Sequence, residues 1–244
     1  AIDPSAYWVS EKLDGVRAVW DGKALYFRSG ESVHAPGWFL AALPREPLDG
    51  ELWMGRGTFE RLSGVVRKDL PVDAEWRQVR YMLFELPGAP GDFTARIARM
   101  QAIVAAAKVP WLGAVEQFRV TDRAALQRRL DQVVRGGGEG LMLHRADAPW
   151  LTGRNDALLK LKPLQDAEAR VVAHLPGRGK YAGWVGALEM ETPDGRRFRL
   201  GSGLSDDLRR HPPPVGTMVT YRYRALTNGG LPRFPTYWRV RELP

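Results

Sequence analysis

The sequence predicts an α+β protein of two domains: antiparallel sheets with a few helices over residues 1–164, then a small all-β barrel over residues 165–244. Three observations carry this. Val16-Arg17-Ala18-Val19-Trp20 and Ala24-Leu25-Tyr26-Phe27-Arg28 flank Asp21-Gly22, which is a strong hairpin signal. Two later stretches switch to helical spacing: Ile97, Met100, Ile103, Val104 and Ala107, then Leu126, Leu130, Val133 and Val134 behind Thr121 or Asp122 as the cap. After Pro163 no long helix is legible, Gly and Pro are frequent, and runs such as Thr217–Arg224 alternate like short strands.

Composition narrows the chemistry. At 244 residues, 44% hydrophobic and 26% charged, the chain can bury a working core. It has no cysteine, which excludes disulfides, thiolate metal sites and cysteine nucleophiles, and no apolar run long enough to cross a bilayer. The net charge is +8, and 29 of the 36 basic residues are arginine, whose planar fork suits phosphate. Residues 165–244 carry +5 of that charge and residues 1–164 only +3, so the smaller domain is the more basic per residue, as in a nucleic-acid clamp.

In chain order, Ser10-Glu11-Lys12-Leu13-Asp14-Gly15-Val16-Arg17 places a lysine before a tight turn and an arginine after it. If Asp21-Gly22 is a two-residue turn, Trp20 faces Lys23, Arg17 faces Tyr26, and Arg28 shares the face of Arg17. Leu48-Asp49-Gly50-Glu51-Leu52-Trp53 is either a hairpin turn or a buried strand whose carboxylates have a task. Tyr81–Leu86 is a short apolar strand with an acid near its end, stopped by Pro87. Gly136-Gly137-Gly138 releases the chain into Glu139–His144, an apolar strand with an acid at its start, and the Walker phosphate-loop pattern is missing. His144 reads as a satisfied polar residue. In Leu158-Leu159-Lys160-Leu161-Lys162-Pro163 both ammoniums project from one face, which suits an anion site or a charged edge strand equally. Gly177–Gly183 reads as a mobile basic loop or as a plain surface turn.

Lys-x-Asp-Gly, Arg-Ser-Gly, Asp-Gly-Glu, Phe-Glu, Glu-Gly and Lys-x-Lys follow in that order, and this order resembles the covalent nucleotidyltransferase superfamily. The resemblance is closest to the ATP-dependent DNA ligases in their minimal bacterial type-E form, and it spans essentially the whole chain. One departure is Arg233–Arg241, which is similar to viral and minimal ligase endings but lacks the Arg-x-Asp-Lys form of larger enzymes.

The resemblance implies a nucleotidyltransferase (adenylation) domain followed by an OB-fold barrel, acting as a monomer on nicked double-stranded DNA with ATP and Mg2+, or Mn2+ in its place. It implies that Lys12 attacks the α-phosphorus of ATP and carries AMP. That attack needs a neutral amine, whereas a free lysine titrates near about 10.4, so neighbouring cations must favour the neutral form. Lys160, Lys162 and the metal are the implied cations, with Glu139 the carboxylate near the metal. Glu11 joins the nucleotide site, Glu51 holds the ribose and Phe84 stacks on adenine. Arg17 and Arg154 meet the nucleotide or the nick sugar, while Arg28 and Ser29 meet the 5′-phosphate of the nick. Asp14 acts on metal or at the 3′-hydroxyl end. Arg178 and Lys180 contact DNA, and Arg239 and Arg241 orient pyrophosphate. The rivals are an RNA ligase or capping guanylyltransferase, and a non-catalytic nucleic-acid-binding module. The expected location is periplasmic after removal of a leader, with the cytoplasm as the alternative and no membrane partner.

Overall fold

The computed structural model describes residues 2–153, 155–227 and 229–241. By contact clustering the chain divides into two compact units, Ala1–Lys162 and Pro163–Pro244. The break falls two residues before the expected boundary.

In the first unit, strands β1 (Tyr7–Glu11), β7 (Leu141–Arg145) and β8 (Leu158–Leu161) form an antiparallel sheet in the order β1-β7-β8. Strands β2 (Val16–Trp20), β3 (Leu25–Phe27), β4 (Leu48–Trp53), β5 (Arg80–Glu85) and β6 (Leu112–Ala114) form a second sheet in the order β3-β2-β4-β5-β6, antiparallel except for the β5/β6 pair. Five helices accompany them: α1 (Gly37–Ala41), α2 (Phe59–Val66), α3 (Asp73–Trp76), α4 (Phe93–Ala107) and α5 (Arg123–Arg135).

Period-two alternation decides which face of each strand is buried. Val16, Ala18 and Trp20 of β2 join Leu48 and Leu52 of β4 in the larger core, while Arg17 and Glu51 stay on the opposite face. An aromatic cluster anchors that core: Phe39 stacks on Trp111 with ring centroids 4.0 Å apart and meets Trp76 edge-on at 4.9 Å. The Tyr81 hydroxyl, fully buried, donates to the carbonyls of Ala18 (2.9 Å) and Leu48 (3.2 Å), tying three strands together. A smaller core forms where Val9, Leu141 and Leu143 meet the apolar stripe Leu126, Leu130 and Val133 of α5. Both long helices start on an aspartate cap: Asp92 Oδ1 accepts from Ala95 N at 2.8 Å and Asp122 Oδ1 from Ala125 N at 2.7 Å.

The hairpin register departs from expectation. Ala18 faces Phe27, Val19 faces Tyr26 and Trp20 faces Leu25, so the loop is Asp21–Ala24, four residues long rather than two. Its cause is the Asp21 carboxylate, which accepts from Lys23 N and Ala24 N, both at 2.8 Å, and winds a wider turn. Because the shift is two residues, alternation leaves Arg28 on the face of Arg17 as expected. The 48–53 stretch is a central strand and not a turn. A register shift between Asp49 and Gly50 against β5 marks a bulge, with Asp49 opposite Glu85 and Gly50 opposite Leu83, so Phe84 is the extra residue.

The second unit is a five-stranded antiparallel sheet in the order β11 (Arg197–Leu200), β10 (Val185–Glu191), β9 (Gln165–Pro176), β12 (Met218–Tyr223), β15 (Thr236–Val240). Two short strands, β13 (Ala225–Leu226) and β14 (Pro232–Arg233), pair beside it, and α6 (Asp206–Arg210) connects β11 to β12. Its core gathers Val171, Leu188, Met190, Leu200 and Val219. The two sheet edges meet at one parallel bridge, Ser202 to Thr236, where Tyr237 N–H donates to the Ser202 carbonyl at 2.8 Å. Gly203 (φ +79) permits this: a Cβ there would lie 2.7 Å from both Thr236 Cγ2 and the Tyr237 carbonyl. The chain is thus α+β as expected, with an OB-like curled sheet whose closure, among the described residues, is one bridge wide.

Phe39→Ala removes the central ring of the aromatic cluster and is expected to lower the unfolding free energy by about 3–5 kcal/mol. Urea denaturation of the two proteins measures it.

Candidate active site

Lys12 lies just past β1, where its N–H donates to the Gly140 carbonyl at 2.9 Å, binding the end of β1 to the segment that leads into β7. Its side chain turns to the same segment: Lys12 Nζ lies 2.5 Å from Glu139 Oε2. The other oxygen, Oε1, takes Lys162 Nζ, so one carboxylate bridges two lysines, one just past β1 and the other just past β8. Burial pushes the Glu139 carboxyl up, but hydrogen bonds from Lys12 and Lys162 outweigh it and hold it below its ordinary value. Lys160, opposite Met142 across the β7/β8 pair, is pushed down by burial and then by the charges of Lys12, Arg28 and Lys162. Lys12, Lys160, Lys162 and Arg28 thus outnumber the carboxylate among them.

The five-stranded sheet supplies the facing wall. Arg17 holds Asp49 with both arms of its guanidinium, Nε to Oδ1 at 3.0 Å and Nη2 to Oδ2 at 2.6 Å, and its Cζ lies 5.7 Å from the centroid of the Phe84 ring. Burial raises the Asp49 carboxyl despite that arginine. Glu51, opposite Arg17 across the β2/β4 pair, is raised from its ordinary 4.5 to about 7, because its burial outweighs the attraction of Lys12 and Arg17. Gly15 lets the turn after Lys12 press on this strand: a Cβ there would lie 2.3 Å from the Leu52 carbonyl oxygen and 2.6 Å from Glu51 Cγ.

Behind Phe84, the Arg96 guanidinium is wholly buried. It grips Glu85 through Nε at 2.6 Å and Nη2 at 2.9 Å and donates to the carbonyls of Gly91 (2.9 Å) and Ala148 (3.1 Å). His144 lies 3.7 Å from the same carboxylate and stacks on Phe93 at 3.6 Å; burial and then Arg96 push its imidazole down to about 4.

Of the expected residues, the structure gathers Lys12, Glu139, Lys162, Lys160, Arg17, Glu51, Phe84 and Arg28 around one locus. Glu11 is turned elsewhere: Arg56 holds it through two 2.8 Å hydrogen bonds and also donates to the Gly136 carbonyl at 2.9 Å. Glu11 and Leu13, the neighbours of Lys12, line a cavity of about 410 Å³ with Trp53, Met82, Val115 and Phe118. Asp14 is half-buried in the turn and forms no ion pair among the described residues. Ser29 is exposed, 3.1 Å from Glu31. Arg154 lies outside the described residues. Arg178, Lys180, Arg239 and Arg241 belong to the second unit, where Arg241 pairs with Glu168 at 2.6 Å. The 177–183 segment is a folded turn rather than an open loop, with a 3-10 turn at Gly179–Tyr181. Sequence reasoning missed Arg56 and Arg96, which nothing local marks; Asp49 it flagged as one of the carboxylates of the 48–53 stretch but gave no role.

No group of three or more metal-ligating side chains occurs among the described residues. Glu139 with Glu51 close enough to feel its charge fits magnesium, which needs only one or two carboxylates beside substrate phosphate and water.

With this geometry in hand, comparison with known proteins is informative. A family model described as the DNA ligase OB-like domain matches residues 176–241. A DNA ligase of Haemophilus influenzae is 37% identical over 240 residues, covering 98% of this chain and 88% of that protein. A solved structure from a structure–function study of Lig E DNA ligases superposes with a TM-score of 0.69 at 44% identity, over 98% of this chain and 94% of that one. The Chlorella virus DNA ligase–adenylate, 20% identical with a TM-score of 0.55 over 98% and 93% of the two chains, shares the fold. Two sheets around a lysine–carboxylate site, followed by an OB-like unit, are the architecture of the ATP-dependent ligases. The chain belongs to the DNA ligase family, on its Lig E side.

The Glu51 carboxyl yields a pH signature. Its folded pKa lies above its unfolded one, so its contribution to stability is full below pH 4.5 and is lost as pH rises through about 7. Glu51→Gln cannot titrate and is expected to gain stability relative to the native protein across that window, read as a widening difference in urea midpoint. A carboxyl NMR titration placing Glu51 near 4.5 would contradict this.

Proposed function

We propose that the protein is an ATP-dependent DNA ligase that seals nicks in duplex DNA through AMP carried on Lys12. The observation that carries the proposal is the position of Lys12, a lysine at a strand end whose ammonium is held by Glu139 in a pocket otherwise rich in cations.

While Lys12 donates to Glu139 it has no lone pair to offer. Once Glu139 is drawn to other cations and the amine has lost its proton, its nitrogen attacks the α-phosphorus of ATP. A P–N bond forms, the bond from the α-phosphorus to the bridging oxygen breaks, and pyrophosphate leaves. Lys160 and Lys162 neutralise the charge that builds on the phosphoryl oxygens. Glu139, with Glu51, would hold magnesium, which when bound supplies further positive charge to the α-phosphate. Glu51 on β4 is also suited to a ribose hydroxyl, since near-neutral titration leaves it able to accept or donate. The Phe84 ring and the cavity beside Lys12 offer apolar surface to a purine.

AMP then passes from Lys12 to the 5′-phosphate of the nick: the P–N bond breaks and a P–O–P bond forms. The 3′-hydroxyl attacks that 5′-phosphate, AMP departs, and the strand is sealed. Arg28, exposed on the cationic side of the site, is suited to the 5′-phosphate. In the same reading the first unit performs adenylation, and the basic second unit contributes DNA contacts, with Arg239 and Arg241 available to pyrophosphate.

Intact mass spectrometry tests the first step. Incubation with ATP and magnesium is expected to add one AMP to the native protein and none to Lys12→Ala; a GMP adduct from GTP would move the protein to the capping enzymes, and no adduct would sink the proposal. Lys162→Ala keeps the nucleophile and loses a phosphate partner, so adduct formation is expected to slow on the order of a hundredfold. Affinity for nicked duplex is expected to fall steeply between 50 and 200 mM salt, as phosphate contacts require, and a flat salt dependence measured by anisotropy would count against the basic surface.

A further inference from the structure

The second unit holds a cavity of its own, about 420 Å³, between the β9–β10 connection and α6, lined by His174, Gly183, Trp184, Arg209, Arg210 and Pro212. Its walls are cations laid on aromatic rings. Lys180 lies 4.6 Å from the Tyr181 ring centroid and Arg209 lies 4.1 Å from the same ring, while Arg210 sits 4.8 Å from the Trp184 ring. Tyr181 and Trp184 are themselves 6.3 Å apart.

Arg209 is the keystone. It is only 7% exposed, and it donates to the carbonyls of Val185 (3.1 Å), Gly186 (2.7 Å) and Gly201 (2.8 Å). Those bonds make the pocket a built feature rather than a chance alignment of surface chains. Its Nε is buried and has no hydrogen-bond partner. Arg210, which lines the cavity, is exposed, as are Arg178 and Lys180 on the β9–β10 connection. Two carboxylates are near: Asp206 and Asp207 open α6, and Asp207 lies 3.3 Å from His211. The four cations outnumber them.

We propose that this pocket binds an unpaired stretch of DNA strand, with a base stacking on the Trp184 ring or the Arg210 guanidinium and the exposed cations beside it meeting the flanking phosphates. Nucleobases stack on aromatic and guanidinium planes alike, and such stacking tolerates any sequence because every base has a π-face. The volume suits a nucleotide, and the net positive charge suits its phosphate. Inside a duplex the neighbouring pairs cover the base faces, so the pocket selects strand that has left the helix. The proposal rests on the ligase reading only in taking DNA as the polyanion.

The test uses the full chain and fluorescence anisotropy with a nicked duplex, with and without an unpaired thymidine tail. The tail is expected to tighten binding on the order of tenfold. Trp184→Ala and Arg210→Ala are each expected to lose that gain while still forming the AMP adduct, since Lys12 lies in the other unit. Arg210 is exposed, so its variant folds even where loss of the indole does not allow it. Equal binding of tailed and untailed duplex, a gain that survives in Arg210→Ala, or an abasic tail that binds as well as thymidine overturns the proposal. Failure of the native protein to take AMP would instead sink the ligase reading and leave the tail measurement standing.

Discussion

One carboxylate, Glu139, holds the site together. Three ammonium groups converge where β1, β7 and β8 end, and without a counter-charge their repulsion would drive the strand ends apart. A single acid between Lys12 and Lys162 relieves most of that repulsion and aims both nitrogens inward. Partly desolvated ion clusters of this sort add little net stability, because dehydration offsets the attraction. What they supply is geometry. One acid among several cations also leaves the locus positive, and a ligand with several negative charges completes it.

The facing wall works against the same dielectric penalty without resolving it. Asp49 is buried on the arm of Arg17, Glu51 is half-buried with no hydrogen-bonding cation among the described residues, and both carboxyls are raised as a result. A fold shaped for stability alone would place leucine or threonine there. Functional sites are where such local costs persist, tolerated by the core beneath them. Here that core is the aromatic cluster and the leucines of β4 and β5 on the reverse of the sheet.

Much of this was legible in the sequence, for reasons that can be named. The two long helices announced themselves by spacing, the second also by Thr121 or Asp122 before its first turn; Lys160 and Lys162 were placed on one face by alternation alone. The short motifs pointed to the ligases through their order along the chain, from Lys-x-Asp-Gly to Lys-x-Lys. What stayed hidden depends on contacts between distant residues. Arg56 reaches Glu11 across 45 positions, and no local pattern distinguishes it from any surface arginine. The Asp21 side chain widened the hairpin loop by capturing two backbone N–H groups, a competition that residue type permits but does not decide. The Gly177–Gly183 stretch left a mobile loop and a surface turn both open, because its glycines are visible in the sequence while Arg209, which lies on the Tyr181 ring, is far along the chain.

Arg96 braces the site from behind. Its guanidinium makes four hydrogen bonds, to the end of β5, to the loop before α4 and to the turn after β7. Removing Glu85 would leave that charge unpaired in the interior, and losing either carbonyl would leave a buried N–H without a partner. The wall behind Phe84 is therefore tied to three segments at once, and loosening any one of them unsettles the grip on the other two.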